Sequence, residues 1–107
     1  MSTIDYSKKI QFESEIAYSD KAIVSKKIIA SKGGNISLFA FDKDESLSEH
    51  TAPFDALVQV LDGEVKITIA DVDYDLSKGH SIIMPANIPH ALHATKRFKM
   101  LLTMIKN

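Results

Sequence analysis

Residues 50–90 read HTAPFDALVQVLDGEVKITIADVDYDLSKGHSIIMPANIPH, and the pattern of that stretch decides the fold. An apolar run follows His50 and ends at Asp62-Gly63, a turn signal. Gly79 opens a second run that ends in Pro85-Ala86-Asn87-Ile88-Pro89-His90. The stretch therefore holds two strand pairs, and each histidine stands at one end of a strand, beside a turn. Successive side chains of a strand point to opposite faces. Val65, Ile67 and Ile69 then share one face, and Glu64, Lys66 and Thr68 the other. Val72, Tyr74 and Leu76 alternate in the same way with Asp71, Asp73 and Asp75. Three carboxylates along one outer face are a soluble edge rather than the wrapped oxygen cage that calcium needs.

The flanks extend the pattern. Residues 1–21 are weakly patterned, with Ile10, Phe12, Ile16 and Tyr18 suited to a short strand or to an arm laid over a barrel or a neighbouring subunit. Residues 22–30 (AIVSKKIIA) are β-branched around a basic centre, as in a partly exposed edge strand. Ser31-Lys32-Gly33-Gly34 turns the chain into the apolar strand 35–41 (NISLFAF), and the charged DKDES segment is a solvated loop leading to Leu47 and His50. Residues 98–105 (FKMLLTMI) are apolar on both faces, so one face packs inside and the other against something else, a second subunit being one candidate. Many short strands, regular turn signals and almost no helical period describe an all-β barrel or sandwich.

The 107 residues make one domain with a single core. Thirteen basic and fourteen acidic residues leave a net charge of −1, which carries no electrostatic footprint for nucleic acid or membrane. Cysteine is absent, which excludes disulfides, thiolate ligands and thiolate nucleophiles. Residues 1–6 contain no apolar signal core, and no apolar run reaches the ~18 residues of a membrane span. The expectation is a cytoplasmic protein. Nothing resembles a phosphate-binding glycine loop, a serine nucleophile elbow or a helix-turn-helix.

Residues 35–105 resemble the cupin family, small antiparallel barrels marked by two motifs: a glycine followed by His-x-His, a glutamate and a closing glycine; then a glycine followed by Pro-x-Gly, a histidine and an asparagine. His50 stands at the first histidine and Gly63 at the closing glycine, while Gly79, Pro85 and His90 match the second motif. Asp44 replaces the opening glycine, Ala52 the second histidine, Ala56 the glutamate, Asn87 the glycine of Pro-x-Gly and Ala94 the last asparagine. Asparagine tolerates left-handed backbone better than most residues, which makes Asn87 a mild change. The resemblance implies an all-β double-stranded β-helix, jelly-roll-like, of the RmlC-like kind. Residues 1–34 would then form an arm and strands contributing to the barrel or to a homodimer, all within one domain. It also implies that two of the family's four usual metal ligands are missing.

Small barrels hold ligands in the mouth, where inward residues converge. If His50 points inward and Pro53 introduces no bulge, parity brings Ala52, Phe54, Ala56, Val58 and Val60 with it, and His90 brings Leu92 and Ala94. Met84 and Met100 serve as core filler or as adaptable lining for an apolar ligand. The expected pocket is two imidazoles among apolar groups. His50 and His90 are the candidates for acid–base chemistry and the core of any divalent transition-metal site (Zn, Fe, Mn or Ni), which needs a third ligand. Asp55, Glu49 and His93 are near in sequence, yet parity turns each outward; only a bulge at Pro53 would rotate Asp55 inward. His80 and His93 read as surface or packing residues. The first expectation is a small-molecule-binding barrel. A metal-dependent oxygenase, isomerase or epimerase with an unidentified third ligand comes second, and a packed structural or interaction module third.

Overall fold

A computed structural model describes residues 4–106. Residues 1–3 and 107 lie outside it, and with them the first half of the polar N-terminal segment noted above. A 3-10 turn at Phe12–Ser14 precedes eight strands: β1 (Ile23–Ser31), β2 (Gly34–Phe41), β3 (Ser46–His50), β4 (Phe54–Ile69), β5 (Val72–Ser77), β6 (Ser81–Met84), β7 (His90–His93) and β8 (Phe98–Lys106). All pairings are antiparallel, and the strands follow the order β1-β2-β8-β4-β7-β3, with β5 and β6 both paired to β4. The all-β class expected from the strand pattern, and the curled antiparallel sheet that the family resemblance implied, are therefore present.

Strand β4 is the spine. Its first half pairs with β8 and β6, its second half with β5 and β7, so one strand serves two sheets that curl against each other. Asp62-Gly63, expected to end a strand, lies inside this 16-residue strand, paired with Lys99 and Phe98 directly after a bulge at Leu61. The irregularity between Val60 and Asp62 adds a residue and bends the strand. Gly63 adopts φ 77, and a Cβ there would collide with the Arg97 carbonyl oxygen. Only glycine lets the two backbones approach so closely. The extra residue also shifts the parity: Ala56, Val58 and Val60 are buried before it, Val65 and Ile67 after it.

The main core joins these residues to Phe41, Leu76, Met84, Leu92, Ala94, Phe98, Met100 and Leu102, with the Phe41 and Phe98 rings stacked at 4.5 Å. Strand β5 departs from the expected half-buried pattern. Val72 and Tyr74 are exposed and only Leu76 is buried, because residues 72–75 have solvent on both faces. The connecting turn places Ala70 (φ 49) and Asp71 (φ 67) in left-handed backbone, the geometry of a type I′ hairpin. Strand β5 pairs with β4 alone and so stands at the sheet edge, where Val72 and Tyr74 are left uncovered while their β4 partners Ile69 and Ile67 pack at the core.

A second cluster explains the two-faced apolarity of β8. Leu101 faces outward with Ile28, Leu38 and Ala40, and the N-terminal arm covers them with Ile16, Phe12, Tyr18 and Ile4. The arm thus lies over its own barrel. Polar bonds pin it: the Tyr18 hydroxyl donates to Asp62 Oδ2 at 2.5 Å and Lys99 Nζ to the Glu13 carbonyl at 2.6 Å. The Arg97 guanidinium reaches Asp42 at 2.7 Å and Asp20 at 2.9 Å, and lies 5.2 Å from the centre of the Tyr18 ring. No helix of the described residues is long and apolar enough to cross a membrane.

Candidate functional site

Three short segments meet at one end of the barrel: the end of β3, the crossing at residues 51–53 and the start of β7. In the β3–β7 ladder, Leu47 pairs with Leu92 and His50 with His90. Three steps on β3 thus match two on β7, so β3 holds a bulge between Leu47 and His50. Without it His50 would face away from the side that Leu47 shares with buried Leu92. On the other side of β7, His90 pairs with Ile69 of β4. Residues 51–53 then carry the chain from one sheet to the other, where Phe54 pairs with Lys106. The Asn87 amide ties the crossing down by donating to the Ala52 carbonyl at 2.8 Å.

The two imidazoles meet edge to face with ring centres 4.4 Å apart. His50 is exposed and His90 is buried, with 7% of its surface accessible. Each ring is anchored alike: Nδ1 of His50 lies 2.8 Å from the Ser48 carbonyl oxygen, and Nδ1 of His90 lies 3.2 Å from that of Ile88. A carbonyl can only accept, so each Nδ1 carries the proton and donates, leaving each neutral ring with Nε2 as an acceptor. Burial is the main influence holding the His90 pKa below the usual imidazole value. The Ile88 bond opposes that shift and the neighbouring His50 adds to it.

The other residues singled out in the sequence fall into two groups. Ala52 and Phe54 are half-buried on the crossing and at the strand start. Ala56, Val58, Met84, Leu92 and Met100 are buried members of the main core. His93 faces away from His90, bonded to Ser46 Oγ at 2.6 Å and 3.7 Å from Asp44, and His80 bonds the Ser77 amide through Nδ1 at 3.0 Å. No bulge at Pro53 rotates Asp55 inward; its carboxylate accepts from the Ala86 amide at 2.9 Å and so braces the turn that presents His90. That bracing role, the β3 bulge and the pairing of Ile69 with His90 had no signal in the sequence, because each depends on residues far apart in the chain.

A metal fits this donor set poorly. A carbonyl behind each imidazole is the usual support of a metal-binding histidine. Catalytic zinc nevertheless takes three protein ligands, and non-haem iron adds a carboxylate to two histidines. No group of three or more His, Asp or Glu side chains placed to hold a metal occurs among the described residues. Ala52 and Ala56 present methyl groups at two ligand positions of the motif.

Comparison with known proteins gives a consistent picture. A family model described as a cupin domain matches residues 37–106. A conserved protein of unknown function from Streptococcus pyogenes is 34% identical, with a TM-score of 0.92 over 97% of this chain and 91% of that one. A cupin superfamily protein from Desulfitobacterium hafniense is 31% identical, with a TM-score of 0.90 over 97% and 95%. A cupin 2 conserved barrel domain protein from Leptotrichia buccalis is 46% identical, with a TM-score of 0.83 over 85% of this chain and 44% of that one. No curated protein matches the chain.

Proposed function

The chain belongs to the cupin family, and on that premise we propose that it binds a small molecule at the barrel mouth through His50 and His90, without the family's full metal-ligand set. The observation that carries this reading is the pair of touching imidazoles, each held by a backbone carbonyl and each with Nε2 left over. Two oriented acceptors beside half-buried Ala52 and Phe54 are what a site for a polar group on an apolar ligand requires. Since Ala56, Val58, Met84, Leu92 and Met100 pack in the core, the ligand sits on the rim, with His90 as its floor. The same packing favours, as a second reading, a structural or interaction module whose histidines only close the mouth.

A fragment screen read by the imidazole NMR signals tests the proposal. Hits are expected to move His50 and His90 together, and to stop doing so in His50→Ala. Hits that leave both rings unmoved would favour the structural module. Titration of the chelator-treated, untagged protein with zinc, iron, manganese and nickel ions addresses the enzyme alternative. Stoichiometric binding lost in His50→Ala would replace the present reading with a metal-dependent oxygenase, isomerase or epimerase.

A further inference from the structure

The hydrogen-bond arithmetic of the mouth restricts what the site recognises, and this inference rests on the proposed binding role of His50 and His90. A neutral imidazole has one donor and one acceptor. Both donors are already spent on the carbonyls of Ser48 and Ile88. What remains is two acceptors and no donor from either ring. Among the described residues no buried side-chain nitrogen or oxygen lacks a partner. Nε2 of His90 makes no bond, so it opens to solvent despite the burial of the residue; His50 is exposed outright. Among the described residues neither ring forms an ion pair.

A ligand for such a site must bring hydrogens to the two nitrogens. A carboxylate or phosphate would bring lone pairs to lone pairs. It could bind only after at least one of two imidazoles in contact gains a proton, which burial opposes at His90. A single hydroxyl would satisfy one acceptor and leave the other to water. Two adjacent hydroxyls on an apolar frame match both nitrogens while the frame covers Ala52 and Phe54. We propose that the mouth selects uncharged molecules carrying a pair of neighbouring hydrogen-bond donors, the vicinal diol being the simplest, and discriminates against anions.

Three probes on one ring skeleton test it: cis-cyclohexane-1,2-diol, cyclohexanol and cyclohexanecarboxylate, added to chelator-treated protein at pH 8. The readout is the Cε1–H signals of His50 and His90. The diol is expected to shift both signals and to bind at least about tenfold more tightly than either other probe, the worth of about one hydrogen bond. His50→Ala, at an exposed position, should bring the diol down to the level of cyclohexanol. If the carboxylate or the mono-alcohol shifts the same signals with equal affinity, the donor rule is wrong while the binding site stands. If no probe moves either ring up to its solubility, both the rule and the binding reading fail. Tight stoichiometric zinc binding that displaces the diol would also overturn the rule, because the two acceptors would then be metal ligands.

Discussion

Ala56 is 5% exposed and pairs with both Met84 and Met104 across β4, so its methyl group is core rather than pocket wall. Restoring the family's glutamate there would bury a carboxylate among apolar side chains. Ala56→Glu is expected to destabilise the fold by about 3 kcal/mol or more, whereas Ala52→His, on the half-buried crossing, should cost under about 1 kcal/mol. Urea denaturation of the two variants measures both. His90 gives a pH prediction. Its pKa lies below the usual value when folded, so between that value and about 6.5 the unfolded chain binds a proton that the folded one refuses. Stability from this residue is therefore complete above pH ~6.5, falls on acidification and levels off below the folded value. Urea midpoints between pH 8 and 5 should show that decline. In His50→Ala the decline should shrink, because one of the groups that lowers the His90 pKa is gone.

Strand β4 shows how one residue can set the path of an element. The bulge and Gly63 bend it from one sheet into the other, and the Arg97 carbonyl fills the space where a side chain would start. Gly63→Ala combines left-handed strain with a backbone clash and is expected to cost about 3 kcal/mol or more in denaturant unfolding. The turn before β7 is built differently. Asn87 has φ 64, and Asp44, before β3, has φ 71. Both stand where the family motifs carry glycine, and Asn and Asp are the residues that best tolerate that conformation after it. Asp44 and Asn87 thus suit the backbone that the motifs' glycines imply, while Ala52 and Ala56 carry no atom that could bind a metal.

At the scale of the molecule, the arm covers only part of the outer sheet face. Ile83, Leu57 and Thr103 form one row across β6, β4 and β8, and Ile105 lies two positions further along β8. Ile83 is 62% exposed and Ile105 58%. This apolar strip continues the layer that the arm covers, and the homodimer, expected through either the basic strand 22–30 or the two-faced strand 98–105, is proposed to form there rather than over Leu101. Sedimentation at micromolar concentration should give a dimer for the wild type and a monomer for the Ile83→Asp, Ile105→Asp double variant, with unfolding still cooperative. A monomeric wild type would rule the dimer out.

The all-β class, the inward set Ala56, Val58 and Val60, the strand 35–41 and the turn before His90 were legible in the sequence, because alternation and turn chemistry are local. The same local reading took Asp62-Gly63 for a strand end and placed Val72 and Tyr74 inside. A turn-like dipeptide can follow a bulge within one strand, and alternation does not reveal whether a strand lies at an uncovered sheet edge. That His50 and His90 would share one end of the barrel was implied only by resemblance to the family motifs. Their contact, the bracing carboxylate of Asp55 and the folding of the arm onto Leu101 were decided by tertiary structure. Each depends on strand register between residues distant in the chain, and register is set by the summed packing of whole sheets, which no short stretch of sequence contains.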